Sequence, residues 1–255
     1  AKAELSIQIT QGIDTPIPIA VVPVALEGAG VLSEDVARIV INDLEQVGEF
    51  LSLSRSNMLS MPSEEREVFY RDWRILAQDY LLVGKINRAS GSQLVQVQYE
   101  FFDVNRELKL AGEILTGSVA QLRDIGHAIA NVVFEEVTGI PGAFTSQILY
   151  VVSEQVQGDE YNFRLEKADY DGARAQALLE SREPIMSPSW SPNGQLFFFT
   201  DISGYWNLAF WDGVATRPFL SESLEHTEAP WQFGYSSYTF LADGTLVLGS
   251  SEPVD

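Results

Sequence analysis

Apolar positions in the first half of the chain recur with the spacings of alternating strands and helices. Residues 17–24 are apolar on both faces, as a strand covered on two sides would be. Apolar stripes with a helical period cover 33–48 and, after an S-x-x-Q capping box, 118–139. Further strands are predicted at 50–54, 80–86, 94–103 and 108–115. We therefore predict an α/β N-terminal domain, a mixed sheet with packed helices, over residues 1–143.

The second half has no good helical pattern and contains two internal repeats. The dipeptides Asp171-Gly172 and Asp212-Gly213 lie 41 residues apart and suit tight hairpin turns. The sequence of residues 190–197 is similar to that of residues 240–247, 50 positions further along the chain. Short strands at this period are typical of propeller blades. We predict an all-β region of incomplete β-propeller blades, about two blades plus one strand, over residues 144–255.

The number of blades has a consequence for assembly. A closed propeller ring needs about four blades or more, and this stretch holds room for about two. An open stack leaves an unpaired strand edge and an uncovered blade face. We expect either that the natural chain is longer, or that another protein or a second copy covers the open edge and blade face. Self-association through the open blade edge is therefore one expectation.

Charge and composition exclude several classes of function. Asp and Glu number 36 against 16 Lys and Arg, a net charge of −20, which disfavours nucleic acid and anionic membrane surfaces as partners. Cysteine is absent and histidine occurs only at His127 and His226, so thiol chemistry and multi-histidine zinc sites are excluded. The longest apolar run, 17–26, is too short for a transmembrane segment and contains two prolines.

Motifs that could carry catalysis or ligand binding are incomplete. The string 234–238 has a serine near His226 but lacks the second glycine of a nucleophile elbow. Residues 28–33 resemble a dinucleotide loop without its third glycine, and 169–172 begins like a calcium loop that lacks the downstream bidentate glutamate at the right spacing. We therefore predict no catalytic, cofactor-binding or metal-binding residues and no enzymatic activity, with a nucleotide-binding sensor module as a further alternative.

The N-terminus is the strongest candidate for partner binding. Apolar and polar residues alternate there, so the segment can form an edge strand that pairs with another chain. The candidate residues are Glu4, Leu5, Ser6, Ile7, Gln8, Ile9, Thr10, Gln11 and Gly12. The alternative is that this segment pairs within its own sheet or packs between domains. A second candidate is a dense aromatic set, mostly predicted as blade core, at Tyr205, Trp206, Phe210, Trp211, Trp231, Phe233, Tyr235 and Tyr238.

Several stretches in order along the chain resemble the TolB family of the Tol–Pal envelope system. The matching stretches are 4–12, 18–23, 133–144, 168–172 and 186–194. The resemblance implies an α/β domain followed by a six-bladed propeller, and a leader peptide that ends at Ala3, hence a periplasmic protein peripheral to the membrane. It also implies a non-enzymatic scaffold in envelope integrity, cell division and protein transport, with TolA-like and Pal-like proteins as partners.

From about residue 195 to 255 the sequence looks more like the propeller of prolyl-oligopeptidase-type serine peptidases. The stretches that carry this likeness are 199–208 and 234–240. The alternative function is therefore a propeller fragment of such a peptidase that lacks its hydrolase domain, in which blades screen substrates from a separate catalytic domain.

Overall fold

The computed structural model describes residues 15–28, 31–158, 160–228 and 235–249. The chain divides after Thr145 into two compact units. The division falls two residues beyond the domain boundary expected from the sequence. Within the described residues, no helix combines the length and apolar character needed to cross a membrane.

The first unit is a mixed sheet with helices. Its elements are β1 (Ile17–Val21), β2 (Ala25–Gly28), α1 (Val36–Gln46), β3 (Phe50–Ser52), α2 (Tyr70–Ile75), β4 (Tyr80–Arg88), β5 (Leu94–Asp103), β6 (Leu108–Ser118) and α3 (Leu122–Thr138). Short 3-10 turns lie at Arg55–Asn57, Glu65–Glu67 and Val119–Gln121. The strand order is β3-β1-β4-β5-β6, with β2 also paired to β4. The pairs β1–β3, β1–β4 and β2–β4 are parallel, whereas the pairs β4–β5 and β5–β6 are antiparallel.

Both faces of this sheet are covered. Helices α1 and α3 pack on each other and on one face of the sheet. On the other face, Trp73 of α2 packs with Leu81 and Val83 of β4, in a cluster that Phe102 of β5 completes. Because side chains of a strand alternate between faces, Leu82 lies on the opposite face from Leu81, toward α1 and α3. The continuous apolar character of the central strands follows from this two-sided burial.

The strand expected at 17–24 ends early, and a second strand follows it. Strand β1 ends at Val21, and β2 begins after Pro23 and pairs with the second half of β4. Proline has no N–H to donate to a central ladder, so the chain breaks there and resumes further along the same neighbour. The sequence pattern did not predict β2.

Helix ends agree with the sequence at one helix and differ at another. Ser118 and Gln121 form the reciprocal capping box that their spacing predicts. The apolar stripe that starts at residue 33 predicts a cap of α1 at Ser33. This prediction is wrong, because Asp35 occupies the cap position and accepts a hydrogen bond from the backbone N–H of Arg38 at 3.2 Å. The helix therefore starts two residues later than Ser33 would place it.

The second unit consists of antiparallel sheets. Its strands are β7 (Gln147–Gln157), β8 (Glu160–Asp169), β9 (Gln176–Ser181), β10 (Met186–Trp190), β11 (Leu196–Thr200), β12 (Asn207–Trp211), β13 (Thr216–Pro218), β14 (Tyr238–Phe240) and β15 (Leu246–Leu248). They form the sheets β7-β8-β9, β10-β11-β12-β13 and β14-β15. No closed ring occurs among the described residues, and the predicted combination of an α/β domain with incomplete blades is confirmed.

Apolar clusters join these sheets face to face. Leu165 and Leu179 of the first sheet pack with Leu196 and Phe198 of the second. The opposite face of the second sheet carries Phe199, which packs in a further cluster with residues of β14 and β15. The second sheet therefore contributes alternate side chains to two neighbours, which is how stacked blades are stabilised.

Candidate functional site

The predicted partner-binding segment Glu4–Gly12 lies outside the described residues. Its role stays a prediction. The described residues include the other candidate motifs in whole or in part, and the geometry assigns most of these residues to turns and cores.

The two Asp-Gly dipeptides form hairpin turns. Asp212 Oδ1 accepts hydrogen bonds from the backbone N–H groups of Val214 and Ala215 at 2.9 and 2.8 Å, and Arg217 Nε donates to Oδ2 at 2.7 Å. These bonds, led by that from Ala215, lower the pKa of the Asp212 carboxyl from 3.8 to about 2.

The corresponding first turn uses Asp171 in a similar way, since its Oδ1 accepts from the N–H of Ala173 at 3.1 Å. Asp169, which precedes it, accepts from Arg174 Nε at 2.6 Å. The motif at 169–172 is therefore a hairpin turn, as the sequence favoured, and its carboxylates hold the turn.

The serine near His226 is not arranged as a nucleophile. Ser236 Oγ donates to the carbonyl of Tyr238 at 2.9 Å, which is a local turn bond. His226 Nε2 lies 3.0 Å from Glu222 Oε2. Among the described residues no hydrogen bond joins His226 to Ser236, so the pairing that serine hydrolysis requires is not formed. Gly234 of the motif lies outside the described residues.

The glycine loop is explained in part by a close backbone approach. Gly28 ends β2 at φ +120°, and a Cβ there would lie 2.1 Å from the carbonyl oxygen of Arg88 on β4. Glycine is required by this strand contact, without reference to a phosphate. Residues 29–30 of the motif lie outside the described part of the chain.

A buried hydrogen-bond partner of His127 is the feature that sequence reasoning missed. His127 Nδ1 of α3 lies 2.6 Å from Asp43 Oδ2 of α1, and both side chains are buried. The His127 side chain is only 3% exposed. The two residues are 84 positions apart, so no local pattern could reveal the pair.

The aromatic set divides between core and surface. Trp206, Phe210 and Tyr238 belong to the cluster between the second and third sheets. Trp211 packs between the first and second sheets. In contrast, Tyr205 and Tyr235 are 40% and 47% exposed. Trp231 and Phe233 lie outside the described residues.

One face of the first sheet is polar. Tyr150 donates to Glu166 Oε2 at 2.7 Å and Arg164 Nε donates to Glu166 Oε1 at 2.9 Å. These two bonds, that of Tyr150 first, lower the pKa of the Glu166 carboxyl. The opposite face carries Leu165, which is fully buried. The sheet thus has one apolar face toward the second sheet and one face suited to water or a polar neighbour.

Comparison with known proteins assigns the chain to a family. The model of the TolB amino-terminal domain matches residues 5–110, and that of the TolB beta propeller domain matches residues 134–218. The chain belongs to the TolB family. The assignment agrees with the order in which the α/β unit and the antiparallel sheets follow each other.

Individual relatives support the family assignment. The Tol-Pal system protein TolB of Pseudomonas aeruginosa is 46% identical over 195 residues, which is 76% of this chain and 45% of that protein. The protein of the same name from Hahella chejuensis is 44% identical over 195 residues, with the same coverage of both chains. The crystal structure of TolB from Acinetobacter baumannii matches with a TM-score of 0.74 at 24% identity, and covers 96% of this chain and 58% of that one.

These matches decide between the two functions that the sequence left open. The family confirms the resemblance to TolB, and the peptidase alternative is the weaker one. The propeller model continues to residue 218, beyond position 194 where the sequence resemblance weakened. The chain spans about half the length of the curated TolB relatives that it matches.

Proposed function

We propose that this TolB-family chain acts as a non-enzymatic docking scaffold of the Tol–Pal envelope system in the periplasm. The observation that carries the proposal is that the TolB amino-terminal and propeller models match consecutive parts of the chain in their family order. The hairpin-turn role of the Asp-Gly carboxylates and the separate hydrogen bonds of Ser236 and His226 support a binding role over a catalytic one.

The N-terminal strand is the proposed site for the inner-membrane partner, a TolA-like protein. In the segment Glu4–Thr10 the apolar side chains of Leu5, Ile7 and Ile9 alternate with polar ones. An extended segment of this kind can add to a sheet edge, where backbone hydrogen bonds supply affinity and alternate side chains supply specificity. The family match begins at residue 5, within this segment.

The propeller face is the proposed site for a Pal-like lipoprotein. That site should need a more complete ring than the described sheets of three, four and two strands provide. We therefore expect this chain to retain binding through its N-terminal strand and to lose binding of the Pal-like partner.

Isothermal titration calorimetry with purified TolA and Pal domains tests both parts. TolA should bind the unmodified chain and should bind an Ile7→Asp variant at least tenfold more weakly, because the charge interrupts the apolar side of the strand. The matched control is Ile202→Asp, at a side chain that is 63% exposed and lies far along the chain. TolA binding that is equal in both variants would contradict the role of the N-terminal strand, and tight Pal binding would contradict the need for a more complete ring.

A further inference from the structure

The segment that joins β3 to α2 lies on one face of the first sheet, where residues 58–69 form a strap. Met58 and Val68, near the two ends of the strap, pack against the buried cluster around Trp73. Between these two contacts Pro62 is also buried. The strap therefore covers part of this apolar cluster on the α2 side of the sheet.

Backbone pairing does not attach the strap to the sheet. In the described structure its backbone–backbone hydrogen bonds each join residues three positions apart, such as those from Met58 to Arg55 and from Glu67 to Glu64. Strands β4, β5 and β6, in contrast, are joined by continuous ladders. A segment without a ladder can leave the sheet at lower cost than a strand, because fewer contacts are lost.

Apolar packing of the strap is also limited. Three of its large apolar side chains, those of Leu59, Met61 and Phe69, are exposed to solvent. Burial of apolar area is the main source of stability in a folded segment. These side chains therefore contribute little to holding the strap in place, and other contacts must do so.

Charged side chains hold the middle of the strap on the sheet. The backbone N–H of Glu65 donates to Glu100 Oε2 of β5 at 2.6 Å. Lys109 Nζ of β6 donates to the other oxygen of this carboxylate, Glu100 Oε1, at 2.5 Å. Lys85 Nζ of β4 donates to Glu64 Oε2 at 3.2 Å. Through these contacts the strap is connected to β4, β5 and β6.

Glu100 is the unusual member of this group, because it is only 8% exposed. It lies two positions before Phe102 in β5, so its side chain is on the face that carries the cluster around Trp73. The attraction between buried charges is largely offset by the loss of their hydration, so such a pair adds little net stability. The strap is therefore held by an interaction close to energetic balance, whereas apolar burial holds the strands beneath it.

Dissolved salt acts on these contacts because their cations are charged and reach the solvent. The hydrogen bond to Glu100 raises the pKa of Lys109, and the hydrogen bond to Glu64 raises the pKa of Lys85, so both lysines stay charged near neutral pH. The side chain of Lys109 is partly exposed. Salt screens attraction between charges that water can reach, so the contacts of the strap should weaken as ionic strength rises.

We propose that the strap of residues 58–69 is a salt-sensitive lid, latched by Glu100 and Lys109, that opens while the sheet beneath it stays folded. Opening breaks the bond from the Glu65 N–H to Glu100 and uncovers apolar side chains of the cluster around Trp73. The device lies within the first unit. It does not depend on the identity of any Tol–Pal partner.

Cysteine labelling of the full chain measures the opening, because the sequence contains no other cysteine. Val68→Cys places a thiol where the strap packs on the cluster, so opening increases its reaction with an uncharged maleimide. Ala130→Cys places a thiol in α3, at a fully buried position on the other face of the sheet, where reaction reports unfolding of the whole unit. Val214→Cys, at an exposed position, corrects for any direct effect of salt on the reagent.

Salt should act on the strap alone. When sodium chloride is raised from about 0.02 M to about 0.5 M, the corrected labelling rate of Val68→Cys should rise about tenfold. The rate of Ala130→Cys should stay within about twofold, because apolar burial holds that position. Hydrogen exchange of the unmodified chain provides the same test without substitution, since amides within 64–68 should exchange faster at high salt while those of β4 and β5 stay protected.

Two charge-removing variants make the test specific to the latch. Glu100→Gln keeps the shape of the side chain and one acceptor oxygen but removes the charge that strengthens both hydrogen bonds. Glu113→Gln is the matched control, because it makes the same change at an exposed position of β6. At low salt Glu100→Gln should speed labelling of Val68→Cys about tenfold and reduce the further effect of salt. Glu113→Gln should leave the rate within about twofold.

Three outcomes would overturn the proposal. Equal labelling of Val68→Cys at low and high salt, with equal exchange of amides within 64–68, would remove the salt-sensitive opening. Equal effects of Glu100→Gln and Glu113→Gln would remove the latch. Parallel acceleration at Ala130→Cys would show that the whole first unit unfolds and that the strap does not open by itself.

Discussion

The buried pair between α1 and α3 allows a quantitative prediction. Asp43 Oδ2 lies 2.6 Å from His127 Nδ1, and the two side chains are 0% and 3% exposed, respectively. The substitution Asp43→Ala removes this acceptor and leaves the Nδ1 atom of His127 buried without it. Loss of one partner of a buried ion pair costs about 3–5 kcal/mol, and loss of a neutral buried bond about 1–3 kcal/mol. We expect a loss of about 3 kcal/mol in the free energy of unfolding.

Urea unfolding followed by far-UV circular dichroism measures this loss, because the described helices all belong to the first unit. With a denaturant dependence of about 2 kcal/mol per molar urea, the midpoint should fall by about 1.5 M. Asn42→Ala, on the exposed side of the same helix, is the matched control and should change stability by less than about 0.5 kcal/mol.

A double-mutant cycle decides whether the pair itself is responsible. His127→Ala should cost clearly less in the Asp43→Ala background than in the unmodified chain, with a coupling of about 2 kcal/mol. If the two losses add, or if Asp43→Ala costs less than about 1 kcal/mol, the assigned energetic role of the pair is refuted.

Three further predictions follow from described contacts. Gly126→Ala should lower the free energy of unfolding in urea by about 1–3 kcal/mol, because the added Cβ would lie 2.8 Å from Ile39 Cγ2. An unchanged free energy of unfolding would contradict the close packing of α1 on α3. Tyr238→Phe should lower the free energy of unfolding by about 1 kcal/mol, because the buried Tyr238 hydroxyl donates to the carbonyl of Phe197 at 2.9 Å. Burial also raises the pKa of the Tyr238 hydroxyl. An unchanged melting temperature in thermal unfolding would argue against that hydrogen bond. The pKa of the Asp212 carboxyl is lowered from 3.8 to about 2, so this group should contribute stability that is present above pH 4 and lost as pH falls toward 2. Asp212→Asn should therefore reduce the slope of unfolding free energy against pH in this range. Equal slopes in the variant and the unmodified chain would refute the prediction.

Local periodicity determined those elements whose residues repeat at the spacing of a helix or strand. Strand β5 spans Leu94–Asp103, as its alternation predicts, and α3 begins after its capping box and ends before Gly139, where φ is +73°. The Asp-Gly turns were likewise predictable, because a turn depends on the conformations and side chains of a few consecutive residues. The family resemblance rested on such short contiguous stretches.

Long-range contacts lay beyond the sequence. The pairing of β2 with β4 and the hydrogen bond between Asp43 and His127 depend on residues that only the folded chain brings together. The cap at Asp35 depends on competition between neighbouring residues that can each cap the helix. The sequence by itself determined an α/β unit followed by blade-like sheets. The tertiary structure decided which strands pair, so that in the described part of the chain the first of those sheets has three strands and the second has four. Pairing between strands is a choice among distant edges that no local pattern records.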